Sequence, residues 1–144
     1  MKSTKEFFQN KKILIYGYGK TGKSAFNFLK TKNNLKVFDD NLPLTNLPYN
    51  KKFTRGSDRV RNFDYVLLSP GINYRKCLLS NEIIKNKEKI ISDLDVFYKS
   101  FPENFFITIT GTNGKSTTCK LLYQVLKSQG CLLYTSDAAD DLGR

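Results

Sequence analysis

The sequence predicts an α/β protein built on a parallel sheet. Two apolar runs, 12–16 and 105–110, each break into a glycine loop and then into a helical pattern. Between them lie two more short apolar runs, 35–38 and 65–68, each closed by turn residues. Strands alternating with helical segments are the pattern of a parallel sheet with helices on its faces.

Each element has its own warrant. Ser3 and Glu6 are spaced as a capping box, which predicts a short leading helix over 4–10. Residues 12–16, Lys-Ile-Leu-Ile-Tyr, read as the first strand and run into Gly17-Tyr18-Gly19-Lys20-Thr21-Gly22. Ala25, Phe26, Phe28 and Leu29 then fall at helical spacing, giving a helix over 21–32. A second strand over 35–38 closes at Asp39-Asp40 and completes the unit that opens a doubly wound, Rossmann-like sheet. Pro43 and Pro48 mark 41–50 as loop. Tyr65-Val66-Leu67-Leu68 is a buried strand stopped by Ser69-Pro70-Gly71. A helix over 78–85, a short strand over 89–91 and a helix over 93–100 leading out of the sheet follow. Pro102 marks 101–104 as a linker, since it disfavours helix on both sides. The next buried strand is 105–110. After Gly111, a helix beginning at Lys115 carries Leu121, Leu122, Val125 and Leu126 on one face and ends at Gly130.

With 144 residues the chain suits one domain, or a small domain and part of another. Its 24 Lys and Arg against 13 Asp and Glu give a net charge of +11. A nucleic-acid binder gathers such charge into a patch or run, whereas here it is spread along the chain. Abundant Lys, Asn, Ile and Phe without Trp or His match an AT-rich coding sequence. Cys77, Cys119 and Cys131 lack metal-ligand spacing and fit a reduced compartment. The first twelve residues are too polar for a signal peptide, and no apolar run reaches the length of a membrane span. The expectation is a cytoplasmic protein with neither membrane insertion nor a nucleic-acid partner.

Two glycine loops carry the chemistry. In Gly111-Thr112-Asn113-Gly114-Lys115-Ser116-Thr117-Thr118, strand, glycine loop and helix follow in the order that cradles nucleotide phosphates. Backbone N–H groups approach the oxygens, Lys115 adds a point charge for the outer phosphates, and the Ser116 hydroxyl can ligate Mg²⁺. The spacing departs from the usual loop, because Ile109 stands where a first glycine is expected. In the amino-terminal loop Gly17 permits a tight turn, Gly19 lets a diphosphate approach, and Gly22 allows close helix–strand packing. Asp39 then stands where an acidic side chain meets a ribose hydroxyl or a base edge. Ser69-Pro70-Gly71-Ile72 ends a strand at the side where such sheets bind ligands. On these residues alone, a non-catalytic NAD-binding regulatory module stays open as a reading.

Gly17-Tyr18-Gly19-Lys20-Thr21-Gly22-Lys23-Ser24, Asp39, Ser69-Pro70-Gly71-Ile72 and the 111–118 loop together resemble, in order and spacing, the Mur ligases of peptidoglycan synthesis. The resemblance covers 11–130. Asn113 differs from the His usual in the branch that adds L-alanine. Ser116 differs from the Thr usual in the branches that add the third residue and the terminal dipeptide, which also lack this first domain. The branch most like this chain adds D-glutamate.

The resemblance implies a three-domain, monomeric, cytoplasmic ligase of cell-wall synthesis. It would use ATP and Mg²⁺ to join D-glutamate to UDP-N-acetylmuramoyl-L-alanine through an acyl phosphate. It assigns 1–92 to a UDP-sugar-binding domain and 93–130 to the start of the central phosphate-loop ATPase domain. Carried over by motif, Gly19, Lys20 and Thr21 would face the diphosphate, Asp39 the uracil, and Gly71 the bound nucleotide sugar. Gly111, Thr112, Asn113, Gly114, Lys115, Ser116 and Thr117 would hold ATP, with Ser116 on Mg²⁺ and Lys115 catalytic at the transferring phosphoryl group. Where the family often has Thr-Arg after the aspartate, this chain has Asp40-Asn41, a departure at the point of a cationic or stacking contact to uracil. The acidic metal ligand, the metal-associated histidine, the modified lysine and the glutamate-binding domain would lie beyond Gly130.

Residues 131–144 share neither the Lys/Asn bias nor the periodicity of the rest. They resemble the in-frame translation of a transposase adapter used in sequencing libraries and are read as a non-native tail. The expectation is a longer natural product, and a chain that makes no amide bond by itself.

Overall fold

The computed structural model describes residues 7–48, 51–131 and 133. Residues 1–6, with the Ser3–Glu6 pair of the expected leading helix, lie outside the described residues, as does most of the 131–144 tail. Residues 7–10 form turns. The chain divides into two units, Met1–Asn104 and Phe105–Arg144.

The first unit is a four-stranded sheet in the order β2-β1-β3-β4. Its strands are β1 (Lys12–Tyr16), β2 (Asn34–Phe38), β3 (Tyr65–Leu68) and β4 (Ile90–Ile91), and all pairings are parallel. Leu14 pairs with Lys36 on one side and Val66 on the other, so β1 is central. The chain moves outward from β1 to β2, then returns to add β3 on the opposite flank. That reversal is the topological switch of a doubly wound fold, and the α/β Rossmann-like expectation is met.

Both faces of the sheet are covered, which is why β1 reads as an unbroken apolar run. Successive side chains of a strand point to opposite faces. Ile13 and Ile15 join Ala25, Leu29, Leu35, Val37, Leu67 and Ile91 in one cluster. Leu14 and Tyr16 join Phe38, Phe53, Val60, Phe63, Val66, Leu79 and Ile83 in the other. Each fully buried aliphatic side chain stabilises the fold by about 1.5–3 kcal/mol relative to its exposed state. Helix α1 (Lys20–Leu29) supplies Ala25 and Leu29 to the first face. Helix α2 (Ser80–Lys85) supplies Ile83 to the second. It begins two residues later than the sequence spacing predicts, after a turn in which the Leu78 and Leu79 N–H groups bond to Asp40 and Tyr16.

Helix α3 (Asp93–Ser100) forms where expected and starts with a capping box between Ser92 and Asp95. It does not begin the second unit. Val96 is 4% exposed and packs into the first core cluster, so the boundary falls between Asn104 and Phe105 rather than after residue 92.

In the second unit, the expected strand over 105–110 is absent: these residues carry no regular structure. A strand is held by hydrogen bonds to a neighbour, and among the described residues no strand lies paired with this run. Phe105 is 90% exposed, so β propensity has nothing to act against. Helix α4 (Lys115–Ser128) does form. It closes with Cys131 N–H bonded to the Leu126 carbonyl at 3.1 Å and Gly130 N–H bonded to that of Lys127 at 3.0 Å, so Gly130 is its C′ residue.

Candidate nucleotide site

Three loops meet at the carboxyl ends of β1, β2 and β3. Gly17 N–H donates to the Phe38 carbonyl at 2.8 Å, and Ser69 N–H to that of Tyr16 at 2.9 Å. Gly17 has φ +95°, and a Cβ there would lie 2.7 Å from the Ser69 Cβ and 3.1 Å from the Ile72 Cγ1. Only glycine fits this place. A Cβ at Gly22 would collide with the Gly17 carbonyl oxygen, so the start of α1 sits against the loop. Gly19 and Gly71 differ: both are exposed, and a Cβ at either would meet nothing within 4 Å. Two of the glycines thus shape the protein, and two leave open space beside it.

Gly19 is the N-cap of α1, with no side-chain cap and no acidic residue in the first turn. A helix start of this kind presents backbone N–H groups and a positive dipole end to an anion. Lys20 and Lys23 are exposed on the same turn, and Thr21 is half-buried. The Lys23 ammonium lies 5.9 Å from the centroid of the Tyr18 ring. That ring stands edge-on to Phe26 at 5.9 Å, and burial raises the Tyr18 pKa above its ordinary 10.0.

Asp39 binds the glycine loop to the end of β2. Its Oδ2 accepts from Tyr18 N–H at 2.7 Å. Its Oδ1 accepts from the N–H groups of Asn41 at 2.9 Å and Leu42 at 3.1 Å. A carboxylate has about four acceptor positions, so one further donor can be accommodated, on Oδ2. The structure therefore brings Gly19, Lys20, Thr21 and Asp39 to one loop cluster and seats the Ser69–Ile72 turn against it. The Ser69 hydroxyl donates to the Gly17 carbonyl oxygen at 2.9 Å. Beyond the turn, toward β4, lies an open cleft of about 790 Å³ with Leu68, Ile72 and Ile90 among its apolar lining and Arg75 and Lys87 among its cations.

Sequence reasoning did not single out Tyr16, and it noted Asp40 only as a departure from the family pattern. The buried Tyr16 hydroxyl donates to Asp40 Oδ1 at 2.6 Å. The available signal was a phenol at the end of a buried strand, since such a hydroxyl needs a partner.

In the second unit, residues 111–118 are all exposed. Gly114 is the N-cap of α4 in the left-handed conformation, φ +76°, which turns the chain from the loop into the helix. This helix start also has no side-chain cap and no acidic residue in its first turn. The Lys115 ammonium donates to the Gly111 carbonyl, and to that of Thr112 at 3.4 Å, closing the loop on itself. Thr112, Asn113, Ser116 and Thr117 share the same short stretch, with the Ser116 hydroxyl in the first turn of the helix. Among the described residues no group of three or more His, Cys, Asp or Glu could hold a metal ion, and no helix is long and apolar enough to cross a membrane.

A parallel sheet whose 17–22 glycine loop meets the Ser69–Ile72 turn at the switch point defines a Rossmann-like unit. No family model matches the chain. Over 132 residues it is 39% identical to a UDP-N-acetylmuramoylalanine–D-glutamate ligase of Rickettsia prowazekii, covering 85% of this chain and 28% of that protein. It is 36% identical over 129 residues to the ligase of the same name from Francisella philomiragia, covering 86% and 29%, and 35% identical over 131 residues to that of Bacillus cytotoxicus, covering 83% and 29%. The chain is a Mur ligase relative, similar to the amino-terminal part of these D-glutamate ligases. It spans a little over a quarter of their length.

Proposed function

We propose that this chain is the nucleotide-sugar-binding domain and the opening of the ATP-binding domain of a ligase that joins D-glutamate to UDP-N-acetylmuramoyl-L-alanine in the cytoplasm. The observation that carries the reading is a pair of uncapped, acid-free helix starts, each led by a glycine loop, in a chain 39% identical to such a ligase.

In the first unit the UDP diphosphate would lie at the start of α1, over Gly19 and beside Lys20 and Thr21, where helix N–H groups suit an anion. The remaining acceptor position on Asp39 suits the single N–H of a uracil edge. Gly71, exposed with open space above its backbone, would lie beside the rest of the ligand. This division explains why Gly17 and Gly22 are enclosed while Gly19 and Gly71 are open.

In the second unit, residues 111–117 would hold the ATP phosphates, and Lys115 would exchange its loop carbonyls for the outer phosphate oxygens. Mg²⁺ binds with few protein ligands and several phosphate and water oxygens. A single hydroxyl, that of Ser116, fits an ion carried in on the nucleotide, where it would neutralise phosphate charge. The muramoyl-alanine carboxylate would attack the γ-phosphorus, and the bond to the ADP oxygen would break. The D-glutamate amine would then attack the acyl carbon, release inorganic phosphate and lose a proton. Lys115 would offset charge on the transferring group, where catalysis is positional and electrostatic.

The test is phosphate release that requires both UDP-N-acetylmuramoyl-L-alanine and D-glutamate. A chain extended to the length of the relatives should turn over, and Lys115→Ala should abolish it. The 144-residue chain should read background, because its second unit holds only the loop and one helix among the described residues. An active extended Lys115→Ala protein would sink the phosphate-loop assignment. Tighter binding of NAD than of UDP would sink the uridine reading.

A further inference from the structure

Tyr16 ties together all three loops of the candidate site. Its carbonyl oxygen accepts from Ser69 N–H at 2.9 Å. Its fully buried hydroxyl donates to Asp40 Oδ1 at 2.6 Å and accepts from Leu79 N–H at 3.4 Å. Asp40 Oδ2 accepts from Leu78 N–H at 3.2 Å. The connection from Ser69 to Leu79 is therefore held at both ends by one residue and its carboxylate partner. Gly71 lies between those ends.

The core does not need this hydroxyl. A phenyl ring would fill the same volume against Phe38, which Tyr16 meets edge-on at 5.2 Å. The hydroxyl is buried nonetheless, and it is paid for by a charge-assisted bond to the carboxylate. Burial first, and the Asp40 bond second, push its pKa well above 10.0, so it remains a proton donor. A buried polar group with a required partner can select one arrangement even where it adds little stability. Asp40 also stands after Asp39 where the family pattern often has another residue, and each of its oxygens accepts one bond from the protein.

We propose that Tyr16 and Asp40 form a positioning pair for the nucleotide-sugar site, fixing the 69–79 connection so that the Ser69–Ile72 turn faces the glycine loop. The proposal rests on the reading of that site given above. The pair touches no ligand and acts through Ser69, Leu78 and Leu79.

The test compares Tyr16→Phe, Asp40→Ala and Asp40→Asn in the 144-residue chain, with Val96→Ala as a control that loosens the core cluster on the other face of the sheet from Leu79. Two readouts are taken: amide resonances and exchange of Gly71, Leu78 and Leu79 without ligand, and the affinity for UDP. Tyr16→Phe and Asp40→Ala should shift Gly71, speed exchange at Leu78 and Leu79, and weaken UDP about tenfold. Asp40→Asn keeps one acceptor oxygen and should fall between. Val96→Ala should lower the thermal midpoint while leaving UDP affinity within about twofold. Unchanged Gly71 and unchanged UDP affinity in both Tyr16→Phe and Asp40→Ala would overturn the proposal. So would an equal loss of affinity in Val96→Ala. If the unsubstituted chain does not bind UDP, the uridine reading fails, and the ligand-free resonances alone decide whether the pair positions the connection.

Discussion

The Ser69 hydroxyl donates to the carbonyl oxygen of Gly17 at 2.9 Å, across 52 residues of sequence. This bond and the missing Gly17 side chain are parts of one fit: the loop after β1 lies flush beneath the turn after β3. Substitutions at neighbouring glycines should therefore separate folding from ligand binding.

Gly17→Ala introduces a methyl group 2.7 Å from the Ser69 Cβ at a backbone with φ +95°. It should destabilise the first unit by about 2–4 kcal/mol. Urea unfolding followed by circular dichroism measures this, and a loss below about 1 kcal/mol would contradict the close fit.

Gly19→Ala adds the same methyl group in open space, at an ordinary φ of −73°. It should cost less than about 1 kcal/mol of stability. UDP titration should nonetheless weaken, because the methyl group stands where a diphosphate would approach. Unaltered affinity would move the anion away from Gly19.

Acid should loosen α3. The Ser92 N–H and hydroxyl hold the Asp95 carboxyl below its ordinary 3.8. The folded-state value is depressed, so its contribution is complete above 3.8 and is lost as pH falls through the lower folded value. Burial raises the Asp58 pKa, but hydrogen bonds from Lys36 and Thr54 outweigh it, and its contribution has the same sign. Stability followed down from neutral pH should drop in this window, and Asp95→Asn should flatten part of the drop. Ser92→Ala should cost about 1 kcal/mol at neutral pH.

A chain ending at Asn104 should fold. Among the described residues the two core clusters draw no buried residue from beyond Val96. The thermal midpoint of the first unit should stay within about 2 °C of that in the 144-residue chain. A larger fall would show that later residues contribute to this core.

Lys115→Ala should weaken ADP binding by about tenfold or more while leaving the thermal transition of the first unit unmoved. Isothermal titration, paired with a melting curve, reads both. Equal ADP binding in the variant would leave Lys115 as a lysine that merely closes its own loop through Gly111 and Thr112.

The order of strands and helices in the first unit was legible because burial on both faces leaves an unbroken apolar run, as in Ile13-Leu14-Ile15. The same rule misread 105–110. Ile107 and Ile109 have the composition of a buried strand, but composition does not provide the neighbour that makes one. The extent of α3 was legible at 93–100, whereas its capping box, with Ser92 and Asp95 three apart, went unread; the side of the boundary on which that helix packs depended on Val96 alone. In the candidate site, the motif located Gly19, Asp39 and Gly71, whereas the Asp39 bond to Tyr18 N–H and the Tyr16–Asp40 pair depend on register between strands. Tyr16 and Asp40 are 24 residues apart and meet only because β1 lies beside β2. No local pattern encodes that meeting.

The central place of β1 also sets the order in which the sheet can assemble. Pairing of β1 with β2 can occur soon after Phe38 leaves the ribosome, but its other edge must wait for Tyr65–Leu68, 52 residues downstream in register. At about 5–20 residues per second this leaves the edge without its partner for roughly 3–10 seconds. In the later part of that interval, once β2 has paired, an apolar strand with one unpaired row of backbone groups is open to chaperones and to misassembly. The kinetic burden of the fold therefore falls on its nascent chain, at the strand that later carries the glycine loop.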